Sequence, residues 1–397
     1  RRVRLADLSA LFDGVFDRSA PGRCAAVRGG FGRSLVERIR HSGLPEAYSR
    51  AAAAVARAGA ECVFLGMGSL TSALSVAKSG IRVTLLEESR MLCAAAAAAA
   101  ASSGLSGIAR VLPVPGGLTT VASYTELSRQ GRWSGRPIVL VCERLCEDLL
   151  SERLVQTLAC AKRGLGDVAR VIPQQAELWA APLELIYDSV EGFDLSPFDA
   201  LRHGGAWVPV RLDRQPGHRC ALLAEAQRVL LIDFDRDPNG VWIQGRQGVM
   251  RWTATESGRA NAVASWFCIR MDDGGSTNAP LLSNGSGTAC LRRAGMKQAV
   301  HYLPDTVEVR PGLTIDMRWQ LTESADGIHW STSQETVPLQ PAGSSAWTPL
   351  GYHFAMVTDR VRNEAYNAGL GHAIGLVRAR TGGRRPRVLD VGAGSGL

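Results

Sequence analysis

Three short apolar runs constrain this chain more than anything else in it. CVFLGMGS (62–69), IRVTLLEES (81–89) and PIVLVC (137–142) each give way to a helix-forming stretch: TSALSVAKSG, MLCAAAAAAAASS and LLSERLVQTLACAKRGL. A further helix former, SRAAAAVARA (49–58), precedes the first run. Strand, glycine turn, helix and strand in that order predict a parallel sheet with helices on both faces. The pattern changes near residue 185. From there to about 345 the period is two: VLLIDFD, GVWIQG, NAVASWFCIRM, KQAVHYLP and LTIDMRWQL are short strand runs. Gly274–Gly275 and Asn284–Gly285 are turn pairs between them. An α/β half is therefore expected to precede an all-β half of sandwich or barrel type. The expected divisions are an extension over 1–48, an α/β domain over 49–184 and a β domain over 185–334. A Pro/Ser/Gly linker follows over 335–349, and a second α/β start over 350–397.

Composition narrows the function classes. Of 397 residues, 46% are hydrophobic and 21% charged, the balance of a soluble globular protein. The longest apolar run, Ala94–Ala101, is far short of the roughly 20 residues a bilayer span needs, so no membrane partner is expected. The alanine tract reads as the outer surface of its helix. The chain opens on Arg1 without a leader pattern and stops inside a motif at Leu397, so it is expected to be a piece of something longer. The net charge is +8, yet Lys occurs only at 78, 162 and 297. The Arg residues are scattered, with no stripe of interleaved aromatics, so direct nucleic-acid binding is not expected. A basic surface still attracts acidic partners in a salt-dependent way. Nine cysteines form no CxxC pair and no zinc-ligand spacing. No metal and a reducing compartment, cytoplasmic or nuclear, are the expectation.

Two glycine-rich turns follow buried strands. The later one, VLDVGAGSG (388–396), places Asp390 at a strand end before Gly392, Gly394 and Gly396, where the backbone can approach a ligand closely. In the earlier one, FLGMGSL (64–70), Gly66 and Gly68 keep two positions, Leu70 takes the third and Phe64 stands where the acid would be. A left-handed Leu70 would cost roughly 1–2 kcal/mol. Losing the acid would cost about 1.5–3 kcal/mol more in ligand binding. Glu87, closing the next strand, is placed to accept from ribose hydroxyls or to stand as a solvated strand-end carboxylate.

These features resemble the protein arginine N-methyltransferases, most of all their two-module, type III branch, the seventh in the usual numbering. MVTDRVRNEAY (356–366) is similar to the family's M-L-x-D-x-x-R-N-x-x-Y helix, ahead of the VLDVGAGSG turn. The resemblance assigns Arg362, Asp390, Gly392, Gly394 and Gly396 to S-adenosylmethionine, with Gly66, Gly68 and Glu87 as the matching positions of the first module. It implies a Rossmann-like methyltransferase fold followed by a β-barrel. Glu143 and Glu152 keep the nine-residue separation of the family's double-glutamate hairpin and are the candidate catalytic acids. The physics suits them: a sulfonium donor and a guanidinium acceptor are both cations. Two carboxylates offset the repulsion and orient one nitrogen for in-line attack. Taken alone, they read equally as ordinary carboxylates flanking a helix.

Further similarities are Glu191–Asp194, Arg259 to Trp266 and Lys297–Val300. The family's Thr-His-Trp loop here reads Ala294-Gly295-Met296. With Phe64 and Leu70, that makes residues 50–335 resemble the family's degenerate second module, although an intact start follows it. Two functions are implied. The parent protein would methylate arginine in histone-type or Gly/Arg-rich segments. The chain by itself would be a non-catalytic partner module, packed on a second module or a second copy and shaping a substrate groove. An unrelated α/β nucleotide-binding enzyme is the third alternative. Residues 376–397 are expected to be poorly packed, because no sheet neighbour is at hand for VLDVG.

Overall fold

The computed structural model describes residues 43–332, apart from 57–58, 132, 134, 167, 188, 191–192, 195, 197–206, 211, 213–217, 238–239, 272–281 and 284–296, together with residues 360–388. Several sequence-derived features lie outside the described residues. These are the extension before 43, both turn pairs apart from their flanks, Glu191–Gly192, Ala294–Met296, the 335–349 linker, Met356–Asp359, and the turn carrying Asp390, Gly392, Gly394 and Gly396.

Five parallel strands form the first layer: β1 (Glu61–Leu65), β2 (Arg82–Glu87), β3 (Ala109–Pro113), β4 (Ile138–Cys142) and β5 (Val168–Ile172). Their order is β3-β2-β1-β4-β5, with every pairing parallel. β1 and β4 are buried along their whole length, which is why they read as unbroken apolar runs. The connecting helices are α1 (Gly43–Val55), α2 (Leu70–Lys78), α3 (Arg90–Ser102), α4 (Val121–Arg129) and α5 (Leu154–Leu165). α1 starts six residues before the alanine-rich stretch and buries Tyr48 completely. In α3 the alanine tract is mostly outward, with Ala96 and Ala100 turned into the core. At Gly164 an added Cβ would lie 2.4 Å from Tyr124 Cβ and 2.7 Å from the Val121 carbonyl, so only glycine lets α5 close on α4.

The antiparallel part starts with β6 (Gln175–Tyr187), ten residues ahead of the pattern change at 185. β6 is the spine of an eight-stranded sheet, paired to Gln227–Asp233, Gly258–Arg270 and His218–Leu222. Gln298–Val309 continues it beyond Gly258–Arg270. A three-stranded sheet carries Gln247–Thr253, Thr314–Leu321 and Ile328–Ser331. Thr314–Leu321 alternates exposed and buried without a break, the period two of a half-buried strand. One apolar core runs from Leu44 to Trp330 through both parts, and a second, smaller one lies around Leu183, Leu185, Trp266 and Tyr302. The buried Lys162 of α5 donates to the Phe234 carbonyl at 2.7 Å and also to that of Asp237, tying the layers together.

The helix α6 (Arg360–Arg380) stands apart from this core. Val361, Tyr366, Leu370, Leu376 and Val377 are all exposed along it. Residues 384–388 take no strand conformation and Val388 is exposed, in line with the poor packing expected there. Among the described residues no helix is long and apolar enough to cross a membrane.

Candidate functional site

In an open parallel sheet the strand order reverses at one point, and the crevice outside the carboxyl ends there is where ligands bind. Here that point is β1/β4. Gly66 follows β1, Glu87 closes β2 and Glu143 follows β4, so the fold gathers all three at one rim. Gly66 has φ +84° and ψ 154°, a conformation open to glycine alone. The chain then makes a 3-10 turn over Met67–Ser69 that contains Gly68 and enters α2 at Leu70.

The left-handed Leu70 expected from the sequence is not observed. Leu70 has φ −57° and ψ −47°, ordinary helix, so the strain attached to it does not arise. One positive φ, at Gly66, turns the chain, and the third motif position needs none. Phe64 is fully buried in the sheet.

Glu87 is buried and spends both oxygens on backbone. Oε2 accepts from Met67 N at 2.7 Å and Oε1 from Ser89 N at 2.9 Å. It holds the glycine turn against the end of β2.

The hairpin between β4 and α5 carries Glu143 and Glu152. Glu143 is buried beside Tyr48 and Cys142. Burial pushes the Tyr48 hydroxyl well above its usual pKa, and the neighbouring Glu143 and Cys142 add to the rise. Burial takes the Cys142 thiol up to about 12. Tyr48 Oη is buried with no hydrogen-bond partner.

Glu152 is half-buried and lies in the loop, not on the helix the sequence suggested. Helix α5 begins only at Leu154, because Arg153 adopts a left-handed conformation at φ 58° as its cap. Asp148 shapes that loop. Its carboxylate accepts from Ser151 N at 3.1 Å, from Ser151 Oγ at 2.5 Å and from Cys146 Sγ at 2.8 Å, and burial raises its pKa. The β half braces the hairpin: Trp207 Nε1 donates to Ser151 Oγ at 2.9 Å, and Gln156 Nε2 to the Ser324 carbonyl at 2.9 Å.

Between the two acids stands Arg144, which sequence reasoning passed over. Its Nε donates to the Glu152 backbone carbonyl at 2.9 Å, and its Nη1 pairs with Glu88 Oε1 at 3.1 Å. Glu88 Oε1 also accepts from Leu118 N at 3.2 Å. A Cβ placed on Gly66 would lie 3.9 Å from Arg144 Cγ and 3.8 Å from Leu118 Cδ1, so these two side chains roof the glycine turn. The adjacent acids Glu87-Glu88 and the Glu-Arg pair in CER (142–144) were the available signal.

Arg362 is remote in character from this rim. It lies on α6 with its guanidinium 5.1 Å from the Tyr366 ring centre.

No family model and no curated protein matches this chain. Solved structures do. The Trypanosoma brucei PRMT1 enzyme–prozyme heterotetrameric complex with AdoHcy aligns with a TM-score of 0.55 at 16% identity, over 78% of this chain and 95% of that one. A crystal structure of PRMT6 aligns with a TM-score of 0.51 at 16% identity, over 75% and 98%. The likeness is one of fold: a Rossmann-like methyltransferase domain followed by an antiparallel, barrel-like domain.

Proposed function

We propose that this chain is a protein arginine methyltransferase-like module that serves, by itself, as a non-catalytic partner of the type III, two-module kind. It would pack against a competent module or a second copy and help shape the groove for arginine-containing protein segments. The fold's reaction is methyl transfer from S-adenosylmethionine to an arginine guanidinium. Support for the family comes from the rim, where a glycine turn, a β2-end glutamate and a two-glutamate hairpin meet at the switch point of a β3-β2-β1-β4-β5 sheet. The neighbouring PRMT1 complex pairs an enzyme with a prozyme, which fits a partner role.

The single observation carrying the non-catalytic part is the filling of the crevice. The donor types suit the cofactor: Gly66 has the needed conformation and Glu87 the needed charge. The space does not. Arg144 and Leu118 cover Gly66, and both Glu87 oxygens already accept backbone N–H groups. Arranged this way, the residues do not fit S-adenosylmethionine, so no catalytic step is derived from it. Incubating the full chain with isotopically labelled S-adenosylmethionine and Gly/Arg-rich or histone-tail peptides tests this. No label above the protein-free background is expected; steady transfer to arginine would establish the enzyme reading instead.

A further inference from the structure

The acceptors that grip Arg144 are not the two glutamates of the hairpin motif. They are the Glu88 carboxylate, from the end of β2, and the Glu152 main-chain carbonyl, from the far side of the hairpin. A guanidinium presents fixed N–H directions, and here two of them are met by acceptors that come from opposite walls of one crevice. The stem of the same side chain crosses above Gly66, where the switch point would admit a ligand. Glu88 binds the third wall as well, through Leu118 N. We infer that Glu88 and the Glu152 carbonyl form a guanidinium-binding site which the chain fills with its own Arg144, and that this internal guanidinium latches the crevice shut. The inference rests on the methyltransferase-type reading of the crevice only for what lies beneath the latch.

The pair sits at the rim: the Arg144 side chain is 25% exposed and that of Glu88 45%. A contact so placed is weak and exchangeable, unlike a buried one. A small monosubstituted guanidine therefore has a route to the site once Arg144 is shortened.

The test uses the full chain, its Arg144→Ala variant and the Arg144→Ala/Glu88→Gln double variant, with methylguanidinium at about 10 mM against equal sodium chloride. A ligand binding only the folded state raises the melting temperature. A rise of about 2–4 °C is expected in Arg144→Ala alone, because the parent site is already filled and the double variant has lost its carboxylate. No rise in Arg144→Ala, or the same rise in all three proteins, overturns the inference. Glu88→Gln alone serves as a second variant, since it breaks the latch from its exposed side without emptying the hairpin. Calorimetry with S-adenosylhomocysteine then reads the crevice separately. Binding at least about tenfold tighter in Arg144→Ala and Glu88→Gln than in the parent supports the latch. A methylguanidinium response with no gain in S-adenosylhomocysteine binding keeps the guanidinium site and overturns the cofactor-type reading of the crevice beneath it.

Discussion

Each end of the parallel sheet carries a glutamate met by the chain's own arginine, and the two ends use the pairing differently. At the amino ends of the strands Glu61 is 4% exposed in its side chain. It accepts from Arg110 Nη2 at 3.0 Å and from Trp133 Nε1 at 3.1 Å, takes a further bond from Thr84 Oγ1 and lies 3.5 Å from Arg136 Nη1. At the carboxyl ends Glu88 meets Arg144 in a pair open to water. Burial decides the role. A buried carboxylate with several donors holds the fold, because removing it leaves those donors unmet. The exposed pair adds little stability and is free to act as a closure.

Four expected outcomes sharpen or break that contrast. Glu61→Ala should destabilise the chain by about 3–5 kcal/mol in urea unfolding at neutral pH, and Glu61→Gln by less, since an amide oxygen still accepts from Trp133. A loss below about 1 kcal/mol would make the two ends alike.

Within the β half, His301 gives a pH-dependent counterpart. Its ring lies 2.9 Å from Ser265 Oγ, and burial, helped by His329, lowers its pKa from 6.5 to about 3. The folded ring stays neutral while the unfolded one takes up a proton below about pH 6.5. The stability it supports is thus complete above about 6.5 and lost as the pH falls towards about 3. Between pH 7 and 5 the parent should lose about 2 kcal/mol more than His301→Asn. Equal losses would show that this histidine is not buried as described.

Gly66→Ala places a side chain at φ +84° and should cost about 1–3 kcal/mol. A neutral result would mean that the turn beneath the rim is not held in that conformation. The smallest effect belongs to the upper pair: Glu88→Gln should change stability by less than about 1 kcal/mol, whatever it does to binding. A larger loss would make it a structural pair like the lower one.

The sequence exposes the sheet because β1, β2 and β4 are buried along nearly all their length, and burial leaves an unbroken apolar run. It exposes the glycine turn because only glycine takes the Gly66 conformation. Leu70 misleads, since a motif position resembles a left-handed one while the backbone has already returned to helix through Met67–Ser69. Glu152 misleads in the opposite sense. Local propensity favours helix through residues 149–165, and the Asp148 contacts and the Arg153 cap hold its first turn open. Arg144 is plain in the sequence, but whether it faces solvent or bridges two walls depends on Glu88, 56 residues away. The tail helix α6 is legible from its pattern, whereas the strand expected after it does not form over the described residues 384–388.

Calorimetric titration of S-adenosylhomocysteine into the unaltered full chain puts the shut crevice to the most direct trial. No saturable heat up to about 1 mM ligand is the result expected of a rim closed by Arg144. Saturable binding at micromolar concentration would contradict it.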